Sequence, residues 1–202
     1  MKLCILLAVV AFVGLSLGHH HHHHAGQDSE IDHTDETTSS TAEDVEDYAI
    51  DKFMNTSLEI WVLNTTQQNP HNCQKDLPYN MTGNTTFFFR SHEEGHNITN
   101  ESLAGHFEKF AGTEKVYNQI ALSGGSSHVH AEFLFYATKN LTCGLVRVFA
   151  FVDGYNVMWD DLRVKGRPTN LSDIKECTEE FNKYVDAMIT KNWTSPYNAS
   201  CK

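Results

Sequence analysis

Three sets of residues in this chain have the types and spacing to do chemistry. Cysteines form the first: Cys73, Cys143, Cys177 and Cys201 stand apart from Cys4 near the start. An even number in an exported chain reads as two disulfides, and no pair has the C-x-x-C spacing of zinc or redox sites. The second set is the Asn-x-Ser/Thr triplets, whose asparagines accept glycan where they face water. Five lie in the first half, at Asn55, Asn64, Asn80, Asn84 and Asn97, and five follow, at Asn100, Asn140, Asn170, Asn192 and Asn198. The third is "HVHAEFLFYA", in which His128, His130, Glu132, Leu134 and Tyr136 share one face of a strand. Two histidines at i and i+2 could hold a metal. No third ligand is near, so strand-end histidines are expected and neither a metal nor a cofactor is assigned. Nothing resembles a nucleophile elbow, a catalytic triad or a phosphate loop, so no enzyme is expected.

The elements that would position these groups follow from pattern. Residues 1–18, "MKLCILLAVVAFVGLSLG", have one positive charge, a short apolar run and small residues at the end. They read as a secretory signal peptide, too short to span a bilayer. Six histidines at 19–24 are a purification tag. The stretch 25–42 is polar and acidic and is expected to be disordered. Ten of the 26 acidic side chains fall between Asp28 and Asp51, so the formal charge of −11 belongs mainly to this arm, and no basic patch suggests nucleic acid.

A single domain over 43–202 is expected. "AEDVEDYAIDKF" puts Val45, Tyr48, Ala49 and Phe53 on one face of a short helix. From Ser57 to about Leu162 the period changes to two. "SLEIWVLN", "TTFFFRSH", "EKVYNQIALS", "HVHAEFLFYATK", "LTCGLVRVFAFV" and "YNVMWDDL" read as strands, and "SGGSS" and "VDGYN" as turns. "NITNESLAGHFEKFAG" fits helix or strand. With it and the Cys73 region about eight strands form a meander, enough for a closed antiparallel barrel holding one small ligand. Ile174, Cys177, Phe181, Tyr184, Val185 and Met188 then make a helical stripe packed on the barrel exterior. Sequence alone permits three cysteine pairings. Because Cys177 is on the buried stripe, it should bond the strand it covers, with Cys143 the natural partner, leaving Cys73 to Cys201.

Short helix, eight-strand meander, C-terminal helix and four cysteines make a lipocalin-like plan. In detail "NLTC", "DGY" with "MW" four residues on, "ECTEEFNKYV" and "SPYNASCK" resemble the salivary lipocalins of ticks, the histamine-binding-protein family, including its Japanin-like, sterol-binding branch. The resemblance implies the same disulfide pairing and a strand phase with Cys143 facing out. Val146, Val148, Val157, Trp159 and Asp161 would then line the lumen, joined by Glu132, Leu134 and Tyr136. Trp61, Phe87, Phe89 and Tyr117 complete the expected ligand-binding set. Amine-binding members of the family have an acid after the first strand's cysteine and another before the aromatic of the next. Here those places read Gly144 and Val157, so both acids are missing. A desolvated ammonium without a counter-charge is costly, whereas an apolar ligand gains about 25 cal/mol per Å² buried. The resemblance thus implies a secreted, extracellular, monomeric glycoprotein that binds a sterol such as cholesterol, a fatty acid or an eicosanoid and modulates host immunity and inflammation in tick saliva. Its alternatives are a histamine or serotonin scavenger and an immunomodulator that binds a host immune protein or cell surface.

Overall fold

The computed structural model describes residues 48–126, 128–168 and 171–202, so the signal peptide, tag, acidic arm and Val45 lie outside the described residues. Eight antiparallel strands close into a barrel in chain order: β1 (Ile60–Thr65), β2 (Asn72–Thr82), β3 (Thr85–Glu94), β4 (Asn97–Glu108), β5 (Gln119–Ser123), β6 (Val129–Ala137), β7 (Cys143–Val152) and β8 (Tyr155–Lys165). The barrel is sealed by β8 pairing with β1, Trp61 opposite Val164. The ambiguous segment is β4, a strand of 12 residues that pairs with the whole length of β3 from Asn97 to His106. Asp153 and Gly154 both have positive φ, 51° and 85°, the geometry that a two-residue hairpin turn needs.

One end of the barrel is stoppered by α1 (Ile50–Met54). Its Ile50, Phe53 and Met54 join Phe88, Phe107, Ile120, Leu134, Val146 and Val148 in a buried apolar cluster. Gly144 lies at this end because a Cβ there would meet the Tyr136 carbonyl at 2.9 Å and Leu134 Cδ1 at 2.9 Å. A second cluster lies outside the wall, where α2 (Lys175–Ala187) lays Cys177, Phe181 and Val185 on Leu145 and Leu162.

Both disulfides form as expected. Cys143–Cys177 staples α2 to β7, and Cys73–Cys201 pins the tail to β2. Closing the 128-residue separation of the second contributes about 4–5 kcal/mol on the chain-entropy model. The tail also bridges Thr65 to Thr194 and donates the Ser195 hydroxyl to the Leu63 carbonyl at 2.7 Å.

Register irregularities overturn part of the expected strand phase. The β6–β7 pairing shifts between Leu134 and Tyr136 and again between Val129 and Ala131. An inserted residue moves everything beyond it to the opposite face. Tyr136 therefore turns outward, donating its hydroxyl to Glu176 Oε1 at 2.7 Å, while Ala137 faces in beside Gly144. His130 also leaves the shared face and lies 6.5 Å from the ring of Phe149 on the outside, so the histidine pair cannot hold one metal.

Among the described residues no helix is long and apolar enough to cross a membrane. Asn64 is only 6% exposed, and its place in the fold is too enclosed for a glycan. The other described sequon asparagines are exposed, and Asn170 lies outside the described residues.

Candidate functional site

The middle of the lumen is more charged than expected: Asp76, Arg90 and Arg163 join the anticipated Glu132 and Asp161. Inward positions of β2, β3, β6 and β8 carry Asp76, Arg90, Glu132, Asp161 and Arg163, each 5% exposed or less. Arg90 donates Nε and Nη2 to the two Asp76 oxygens at 2.7 Å each, and Nη2 also to Glu132 Oε1 at 2.8 Å. Arg163 donates Nη1 to Glu132 Oε2 at 2.7 Å and Nη2 to Glu132 Oε1 at 2.8 Å and Asp161 Oδ2 at 3.0 Å. Thr65 donates its hydroxyl to Asp161 Oδ1 at 2.7 Å.

Burial alone would raise the Glu132 pKa, but the guanidiniums of Arg163 and Arg90 outweigh it and hold it at about 2. Asp161 goes the other way. Burial pushes it up, and Arg163 and Thr65 recover only part of the loss. Three carboxylates against two guanidiniums leave one surplus negative charge when all are ionised, and Asp161 is where it is least comfortable.

Two cavities lie at the barrel's open end, and the smaller reaches this layer at Arg90. One of about 230 Å³ is the lumen mouth, lined by His71, His92, His128, Arg90, Val129 and Ala150 among others. The other, of about 720 Å³, lies between the β1–β2 connection, the β7–β8 hairpin and the end of α2, with Val157, Met158 and Met188 in its lining. Gln67, Val152 and Trp159 line both. Trp159 Nε1 is buried with no hydrogen-bond partner among the described residues, which makes it a donor in want of an acceptor. Of the Arg90 nitrogens, Nη1 is the one no carboxylate engages. The rings of His71 and His92 stack at 3.9 Å between centroids. Burial first, and the proximity of His71 second, lower the His92 pKa, against a smaller opposing pull from Glu94 and Glu101.

Of the twelve expected ligand-binding residues, Val157 and Trp159 reach these cavities. Val146, Val148 and Leu134 do face inward but belong to the buried cluster with Phe88 and α1 and line neither of these two cavities. Glu132 and Asp161 face inward and are consumed by arginine. Tyr136 faces α2. Trp61 is buried on the outer side of β1 with Tyr197 and the Cys73–Cys201 bridge. Phe87 and Phe89 turn outward because Phe88 takes the inward position, and Tyr117 sits in the β4–β5 connection, 6.2 Å from Phe107. The residues missed are Asp76, Arg90, Arg163, His71 and His92. Arg163 shares the β8 phase assigned to Trp159 and Asp161, and that phase alone would have placed it inside.

No protein-family model matches the sequence, and no curated protein matches it. Solved structures do. Apocrustacyanin C2 superimposes with a TM-score of 0.51 at 11% identity, over 71% of this chain and 78% of that one. Lobster apocrustacyanin A1 gives 0.51 at 10% identity, over 74% and 79%. Identities this low show the fold alone: a closed eight-stranded antiparallel barrel with a C-terminal helix, the lipocalin fold.

Proposed function

We propose that this chain is a secreted binding protein that takes an amphiphile, a fatty acid or an eicosanoid, at the open end of its barrel. The observation that carries it is the meeting of two unlike cavities at Trp159. The smaller has the donors for a carboxylate head in Arg90 and the Trp159 N–H. The larger offers Val157, Met158 and Met188 to the apolar tail, beside polar groups that include the Arg147–Asp160 pair. A sterol fits less well, because 230 Å³ is below the roughly 300 Å³ at which pockets for drug-sized molecules begin. An amine also fits less well, because Glu132 and Asp161, its proposed counter-charges, are already bonded to Arg163. Secretion accords with the N-terminal leader and the two disulfides. A role in removing a lipid mediator of host inflammation and immunity rests on the resemblance to tick salivary lipocalins.

Native mass spectrometry and calorimetry on delipidated protein test this. Arachidonate is expected to bind with one-to-one stoichiometry, cholesterol and histamine weakly or not at all. Saturable histamine binding with no uptake of arachidonate would replace the amphiphile with an amine.

A further inference from the structure

The outer face of the β2–β3–β4 wall carries an aromatic pad that the barrel's interior does not explain. Phe87 and Phe89 alternate outward on β3, and the irregularity between Pro78 and Asn80 on β2 turns Tyr79 onto the same side. Tyr79 stacks on Phe89 at 4.6 Å and lies 6.4 Å from Phe87. Tyr79 is 51% exposed and Phe89 44%, and Leu77, paired with Phe89, is exposed too. A contiguous apolar patch of this kind on a secreted protein is usually covered by something.

The register says what is at hand to cover it. Asn80 is paired directly with Phe87, and Ser91, the next outward residue after Phe89, is paired with Asn100. Both asparagines are exposed and open sequons, Asn80-Met81-Thr82 and Asn100-Glu101-Ser102. Side chains paired or diagonal across a sheet are within about 4.5–8 Å of one another. A glycan leaving either asparagine therefore starts beside the rings. The axial C–H faces of N-acetylglucosamine are apolar and stack on aromatic rings. Tyr79, at 3.4 Å between its hydroxyl and Ser102 Oγ, spans the gap between the two sequons.

We propose that Tyr79, Phe87 and Phe89 are a platform for the protein's own N-glycans, with the innermost N-acetylglucosamine of the chains on Asn80 and Asn100 packed across it. The platform rests on the secreted reading but is independent of what the barrel binds. It makes these two sequons structural, whereas a glycan at Asn84 or Asn140 only projects into solvent.

The test uses protein secreted from insect cells. Glycopeptide mass spectrometry is expected to find Asn80 and Asn100 occupied. Asn80→Gln with Asn100→Gln should lower Tm by about 2–4 °C, the shift an ordinary packing contact gives in a domain of this size, and raise binding of a hydrophobic dye. In a Tyr79→Ser/Phe89→Ser background the same sequon removal should leave Tm unchanged. Trimming the wild-type glycans to a single N-acetylglucosamine should also leave it unchanged. Both sites bare, whether or not other sequons are occupied, overturns the platform, and failure of the chain to leave the cells overturns the secreted reading with it. An equal Tm loss with and without the aromatic rings, or a wild-type dimer that Phe89→Ser dissociates, assigns the pad to something other than sugar.

Discussion

The two ends of the barrel are built from the same strands and differ in almost every physical property. At the α1 end, Phe53, Phe88, Leu134, Val146 and Val148 are packed together in one buried cluster. At the open end the same strands present His92, His128, Ala150 and Trp159 to two cavities. The five-residue charged layer divides them. Buried ion pairs contribute little net stability relative to apolar packing but are severe to break. The layer therefore forms a floor between the packed end and the mouth, and under the proposed function it limits how deep the ligand goes. The comparison teaches that one set of strands can hold a packed apolar cluster at one end and keep polar-lined cavities at the other.

The comparison breaks most readily at the floor. Glu132→Gln leaves Arg90 and Arg163 buried and short of charge, and should cost about 3–5 kcal/mol in urea unfolding. At the closed end Leu134→Ala should cost about 2–5 kcal/mol by emptying packed volume. Gly144→Ala, whose new Cβ would press on the Tyr136 carbonyl, should cost about 1–3 kcal/mol. At the open end Trp159→Phe, which keeps a ring packed against the core and loses the N–H, should change stability by less than either core substitution, while weakening arachidonate binding by about tenfold or more, a loss of about 1.4 kcal/mol per decade.

Acid sharpens the division because two carboxylates of the floor titrate with opposite sign. The folded pKa of Glu132 is depressed to about 2, so its contribution is complete above its ordinary value and is lost as pH falls through about 2. Asp161 is raised, so its contribution is complete below its ordinary value and is lost as pH rises through the folded one. Asp161→Asn should accordingly be less harmful at pH 7 than Glu132→Gln, and its cost relative to the parent protein should grow toward pH 3. Urea midpoints of the two variants at pH 7 and pH 3 check this. A cost of Asp161→Asn that shrinks on acidification would mean that the surplus charge resides elsewhere in the layer.

How much of this was legible in the sequence depended on how local the signal was. The Asp153-Gly154 turn and the Cys177–Phe181–Val185 stripe rest on short-range pattern, and the structure repeats them; the cysteine pairing, which it also repeats, rested on that stripe and on the resemblance. Strand phase was legible only up to the first irregularity. Tyr136 and His130 were misplaced because one extra residue in β6 inverts a period-two pattern without altering composition. The charged floor was hidden for another reason. Asp76, Arg90 and Arg163 are far apart in sequence and pair only once the barrel closes, and in an isolated strand an arginine is more naturally assigned to water. Inside, each is acceptable because the others are there. The absence of acids at Gly144 and Val157 thus described two positions correctly and said nothing about the three carboxylates supplied from elsewhere.

The central claim, that a ligand's head lies against Trp159 at the open end, is tested most directly by tryptophan emission. Trp61→Phe with Trp193→Phe leaves Trp159 as the sole indole. Titration of that protein with arachidonate should shift and quench its emission saturably at one equivalent. Stoichiometric binding by calorimetry with an unchanged Trp159 spectrum would contradict the account and place the ligand elsewhere on the molecule.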